Sequence, residues 1–237
     1  MLKYLLLFLL LAAQPLAAFT LDALFKVDGE NNRFFLLNNP DKEPVYLAIN
    51  LSELRRKADG RYQESPLQPE AFLSWPIYLD PSELVIDGEG EVRVAVVRVA
   101  GPVAEDRILG ITFVPDTLRQ QAQTGSSISL AIGYKAWYLL PGTQPIQGAP
   151  AAWLANGQLH FANRSNKVLQ MELDLCRDQS PPSGAERNIC YAEALLLPGN
   201  SKTMALPTAI TRPNGRVTFS DLTGDYRQEI MLPATGR

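Results

Sequence analysis

The 237-residue chain carries 22 lysines and arginines against 25 aspartates and glutamates, a formal charge of −3. So mild a balance gives no support to nucleic-acid binding, which needs a basic footprint. A single histidine, His160, and two cysteines leave too few ligands for zinc, and no metal or cofactor is expected.

Lys3 precedes an apolar run from Tyr4 to Ala13, and small residues follow at Ala17 and Ala18. Charge, apolar core and small-residue exit form the pattern of a secretory signal peptide. The run is shorter than the roughly 20 apolar residues that span a bilayer. Residues 1–18 are therefore expected to be cleaved, and the mature chain to be exported with no membrane insertion.

Strand signals then recur at short intervals. Phe19 to Phe25 and Arg33 to Leu37 flank a turn at Asp28-Gly29-Glu30-Asn31-Asn32. Val45 to Leu51 alternates, with Val45, Leu47, Ile49 and Leu51 on one face. The charged stretch from Ser52 to Pro69 reads as a long hairpin or loop, and Trp75 to Leu79 as a strand. Asp87-Gly88 reads as a hairpin turn before the alternating Val92, Val94 and Val96. Arg107 to Val114 is a further strand, and Thr117 to Gly125 is polar.

The stretch Ser126 to Pro141 carries the most information. Ile128, Leu130 and Ile132 alternate with Ser127, Ser129, Ala131 and Gly133, so the three aliphatic side chains share one face of a strand whose other face has little bulk. Such a segment fits a core strand of its own sandwich. It equally fits a strand that lends its backbone to another protein's open sheet edge and its apolar side chains to that protein's core. Lys135 interrupts the apolar run just before Trp137 and Tyr138.

Gly142, Pro145 and Gly148 mark 142–149 as a linker. It separates a first domain over 19–141 from a second over 150–237. In the second, strands are expected at Ala152–Leu154, Gln158–Asn163, Val168–Cys176, Cys190–Leu197, Lys202–Leu206, Gly215–Ser220 and Arg227–Leu232. Short strands with regular turn signals and no convincing amphipathic helix indicate an all-β fold of two sandwiches. Cys176 and Cys190 flank a polar loop, and in an oxidising compartment they invite a disulfide worth about 3 kcal/mol in the chain-entropy model. No nucleophile elbow, phosphate loop or histidine-based dyad stands out, so enzymatic activity is not expected.

In order and spacing, these motifs resemble the periplasmic chaperones of the chaperone–usher pilus pathway. Asn38 to Leu47 is similar to the family's early strand–loop–strand around a proline. Asp80 to Val94, Glu105 to Pro115, and Tyr134 to Pro141 resemble its later first-domain strands. In the second domain, Leu159 to Ser165 resembles an L-x-V-x-N-P-T strand end, and Leu197-Pro198-Gly199-Asn200-Ser201 an L-P-G-x-S turn.

The resemblance implies two immunoglobulin-like domains in an L-shaped arrangement, located in the periplasm. It implies that pilus subunits are bound by donor-strand complementation through Ile128, Leu130 and Ile132, then delivered to an outer-membrane usher. Lys135 matches the lysine that holds the subunit's terminal carboxylate. The family's partner arginine is absent, and Lys26 is the candidate second anchor. The family's buried ionic cluster also departs: Ile108 and Leu139 or Leu140 stand where charged residues are expected, with Asp221 as the remaining acid. The competing reading is an exported two-domain β-sandwich with a structural or adhesive role on a pilus or cell surface.

Overall fold

Strands are the main regular structure of the chain, and a computed structural model describes residues 19–99, 101–116, 132–175, 190–206 and 215–232. The chain divides into two compact units. One comprises residues 1–54, 64–101 and 109–138; the other 55–63, 102–108 and 139–237.

In chain order the strands are β1 Thr20–Leu21, β2 Phe25–Val27, β3 Phe34–Asn38, β4 Val45–Arg56, β5 Tyr62–Pro66, β6 Ile77–Asp80, β7 Glu83–Ile86, β8 Glu91–Arg98, β9 Arg107–Pro115 and β10 Tyr134–Leu140. They continue with β11 Ala151–Ala155, β12 Gln158–Ala162, β13 Leu169–Asp174, β14 Tyr191–Leu196, β15 Ser201–Ala205, β16 Arg216–Asp221 and β17 Arg227–Met231.

The first unit is a sandwich. One sheet has the order β1-β3-β8-β6; the other runs β2-β10-β9-β4-β5, with β7 also paired to β4. Period-two alternation fills the space between them. Phe35 and Leu37 from β3, Val94 and Val96 from β8, and Leu109, Ile111 and Phe113 from β9 are all buried. Phe35 meets the rings of Phe113 and Tyr138 edge-on at centroid distances of 5.9 and 6.3 Å. Tyr138 donates its hydroxyl to Asp28 Oδ1 at 2.8 Å, and Arg33 and Arg98 reach the same carboxylate at 3.1 and 3.0 Å.

The second unit repeats the scheme with sheets β11-β12-β15 and β14-β13-β16-β17. Leu169, Met171 and Leu173 of β13 face inward, with Met171 opposite Phe219 and Leu173 opposite Val217 on β16. Leu159 and Phe161 of β12 close the same core. These are the two β-sandwiches that the strand pattern predicts, immunoglobulin-like as the family resemblance implies.

The hairpin expected at Asp87-Gly88 does not form. β7 pairs with β4, whereas β8 pairs with β3 and β6, so residues 87–90 carry the chain from one sheet to the other. A dipeptide that favours tight reversal here serves a crossing, because tertiary bonds fix it. Asn39, fully buried just after β3, donates its side-chain amide to the carbonyls of Glu43, Ile86 and Asp87 at 2.8, 3.3 and 3.1 Å. A Cβ on Gly88 would sit 1.8 Å from the Lys42 carbonyl oxygen, so only glycine fits this close approach.

The second unit places Asn163 at the equivalent point, just after β12. Its amide donates to the carbonyls of Lys167 and Leu196 at 2.7 and 2.8 Å.

Candidate functional site

β10 presents two faces. Ala136, Tyr138 and Leu140 are buried, while Lys135 and Trp137 lie on the opposite, outward side of the sheet. The neighbouring strand β9 contributes no side chain beside them, because its outward position is Gly110. A Cβ there would lie 2.4 Å from Ser52 Oγ, 3.2 Å from Trp137 Cζ3 and 3.3 Å from Glu64 Oε1. That absence lets residues from β4, β5 and β10 meet across the sheet.

The Ser52 hydroxyl donates to Glu64 Oε1 at 2.5 Å and lies 3.3 Å from the Gly110 carbonyl oxygen. The Lys135 ammonium donates to the same Glu64 oxygen at 2.5 Å and sits 5.4 Å from the centre of the Trp137 ring. The hydrogen bonds from Lys135 and then Ser52 hold the Glu64 carboxyl below the ordinary carboxylate range. Ser52 is 8% exposed, whereas the Lys135 and Glu64 side chains are 36% and 34% exposed. The site is thus an ion pair with a buried hydroxyl beneath it and an open side toward solvent.

Lys26, the other candidate anchor, has a different acidic partner. Its side chain is 9% exposed, and its ammonium donates to Asp22 Oδ2 and the Phe34 carbonyl oxygen, both at 2.6 Å. The rings of Phe34 and Phe35 lie 4.7 and 4.9 Å from the nitrogen. Apolar and aromatic surface surrounds this charge, and a carboxylate and a carbonyl satisfy it.

Of the three expected donor residues, Ile128 and Leu130 lie outside the described residues. Ile132 is 40% exposed and precedes the first residue of β10 by two positions. Cys190 is buried beside the second core, and Cys176 lies outside the described residues.

Three apolar residues stand where the family resemblance expects charged ones. Ile108, Leu139 and Leu140 are buried. Asp221 caps its own turn, accepting from the backbone of Gly224 and Tyr226 at 2.9 and 3.0 Å and from the Thr223 hydroxyl at 2.7 Å.

A different ion pair occupies the second unit. Asp106 accepts from Gly142 N and Lys167 Nζ through Oδ1, at 2.8 and 3.3 Å, and from Val168 N through Oδ2 at 2.7 Å. Its side chain is 6% exposed and that of Lys167 is 12% exposed.

Ser52 and Glu64 lay unread in the sequence within a charged loop. The signal that locates them is Asp59-Gly60. Gly60 takes a φ of +83° at the hairpin tip, and the closing bonds Lys57 N to Arg61 O and Leu67 N to Leu51 O bring positions 52 and 64 side by side.

Among the described residues, no cluster of three histidine, cysteine or acidic side chains forms a metal site. None of the described helices is long and apolar enough to cross a membrane.

Residues 21–141 match the model of the CS5 fimbrial protein N-terminal domain family. An Escherichia coli protein described as an uncharacterised 25.9 kDa protein of the CS5 3′ region is 30% identical over 191 residues, which is 80% of this chain and 81% of that protein. The fold is similar to that of the E. coli chaperone DraB, with a TM-score of 0.52 and 13% identity over 91% of this chain and 97% of DraB. It is also similar to a chain of the Salmonella enterica SafA pilin–SafB chaperone complex. There the TM-score is 0.54, with 14% identity over 93% of this chain and 99% of the other.

Proposed function

This chain belongs to the CS5 fimbrial protein N-terminal domain family, and from that premise we propose that it is a periplasmic chaperone of pilus subunits. The observation that carries the reading is a two-sandwich fold matched over nine-tenths of the chain by fimbrial chaperones, one of them described in complex with a pilin. A protein made of two sandwiches fits a binder of incomplete subunits better than it fits a subunit.

In this reading, residues 1–18 are a cleaved export signal, 19–141 and 150–237 are the two domains, and 142–149 joins them. Ile128, Leu130 and Ile132 are the side chains donated to a subunit's open groove. Lys135 receives the subunit's terminal carboxylate, since an ammonium on a partly sheltered sheet face holds a carboxylate by a charge-assisted bond. Lys26, held by Asp22 and the Phe34 carbonyl oxygen, is the candidate second anchor for that carboxylate. Cys176 and Cys190 close a disulfide in the second domain. The loaded chaperone then passes its subunit to an outer-membrane usher. The role requires binding and release and no bond chemistry.

The test is co-purification from the periplasm with candidate pilus subunits. Wild type retains a subunit, and both Lys135→Ala and Leu130→Glu release it. A wild type that retains none, or variants that retain it as well, would sink the reading.

A further inference from the structure

We propose that Glu64 is a resident carboxylate that occupies Lys135 in the unloaded protein and must be displaced before a subunit's terminal carboxylate can bind there. The inference rests on the proposed role of Lys135 and adds a competitor within the chain. Two observations carry it. First, Glu64 gives Lys135 the ligand the role requires, a carboxylate oxygen at 2.5 Å. Second, the arrangement that holds Glu64 there is built by three other strands. Ser52 on β4 donates to the very oxygen that Lys135 uses, and Gly110 on β9 leaves open the space that Ser52, Glu64 and Trp137 share.

The two bonds on Glu64 are unequal in kind. Ser52 is buried and its hydroxyl also lies near the Gly110 carbonyl, so Glu64 keeps a partner when Lys135 leaves. Lys135 is more exposed, and its long side chain swings by rotamer change while the carboxylate stays seated on the hydroxyl. The arrangement therefore parks the ammonium without trapping it. Partly exposed ion pairs are worth about 0.2–1 kcal/mol, so the competition is weak enough to be overcome and large enough to measure. It also confers selectivity: a neutral chain end offers Lys135 less than Glu64 already does, whereas a carboxylate offers an equal exchange.

The experiment measures binding of a short labelled peptide, the C-terminal segment of the subunit that co-purifies with the protein, as free acid and as amide. The full-length mature protein is used as wild type, Glu64→Gln, Lys135→Met and the double variant. Glutamine keeps the shape and an acceptor for Ser52, so the fold is retained.

Glu64→Gln is expected to bind the free acid roughly two- to fivefold more tightly than wild type. The amide should gain nothing, and in the Lys135→Met background the Glu64 substitution should have no effect. If wild type prefers acid to amide but Glu64→Gln gains nothing, the resident-carboxylate proposal is overturned while the anchor stands. If wild type does not distinguish acid from amide, the anchor role of Lys135 falls, and this proposal with it.

Discussion

Asn39 and Asn163 hold corresponding points of the two units, and comparing them separates what a sandwich of this kind requires from what one copy has added. Each follows the end of a strand, β3 or β12. Each donates its amide to the carbonyl four residues on, Glu43 or Lys167, and to the last residue of a strand in the opposite sheet, Ile86 or Leu196. Each accepts from the backbone two residues on, Asp41 or Ser165. Immediately beyond, 87–90 and 197–200 cross between the sheets, and their backbones accept from Asn39 N and Asn163 N through Gly90 and Asn200. One buried amide thus pins the two sheets of a sandwich where the chain changes sides.

The copies differ at the fourth residue. In the first unit it is Glu43, which is exposed. In the second it is Lys167, whose ammonium reaches Asp106 and the Gly142 carbonyl. The same locked loop has been extended in the second unit into a clamp on residues 102–108.

The largest expected effect comes from breaking the shared device. Asn163→Ala removes two short amide bonds, one of them to the buried Leu196 carbonyl, and should cost the second unit about 3 kcal/mol; Asn39→Ala, whose bonds are longer, should cost the first about 2 kcal/mol. Urea unfolding with exchange protection read separately on β12–β13 and β3–β4 checks both. Equal loss of protection in both units from one substitution would deny that the locks act locally.

A smaller effect isolates the addition. Lys167→Met leaves Asp106 with its two backbone donors and should cost about 1.5 kcal/mol. Pairing it with Asp106→Asn should recover part of that loss, because the unpaired charge goes while the side-chain oxygen still accepts from the backbone. A double variant less stable than the single would count against the clamp.

The smallest effect is a pH dependence confined to the first unit. Burial raises the Asp28 carboxyl, but hydrogen bonds from Tyr138 and Arg33, with Arg98 beside them, outweigh it and leave the group below its ordinary value. Its stabilisation is therefore complete above about pH 4 and lost as pH falls through the lower folded value. Asp28→Asn should flatten that acid limb in thermal melts. An unchanged slope would remove Asp28 from the account.

The strand pattern was legible because burial has period two in strands such as β13, where Leu169, Met171 and Leu173 are buried and their neighbours half-buried. Both asparagines stood inside motifs that the sequence displayed. Less legible was anything set by which strands become neighbours. Asp87-Gly88 carried a hairpin's residues and made a crossing, because the partner of β7 is β4, some forty positions back. Glu64 looked like one acid among several until the Asp59-Gly60 tip placed it beside Ser52. The Asp106–Lys167 pair joins residues 61 positions apart, and no local periodicity announces such a contact. Lys26 looked like an available charge, and only the packing of Phe34 and Phe35 over it shows an interior one.

The Tyr62 hydroxyl donates to the Pro198 carbonyl oxygen across 136 residues of chain, and a Cβ on Gly199 would strike the Arg56 guanidinium at 2.3 Å. The second unit is therefore stitched from stretches that leave the ribosome far apart in time. Residues 55–63 must wait, as an unanswered hairpin tip, until the turn at 198–199 has been made. Closing so long a loop is slow and entropically late. It makes completion of the second unit a report that the chain has arrived at least as far as Gly199.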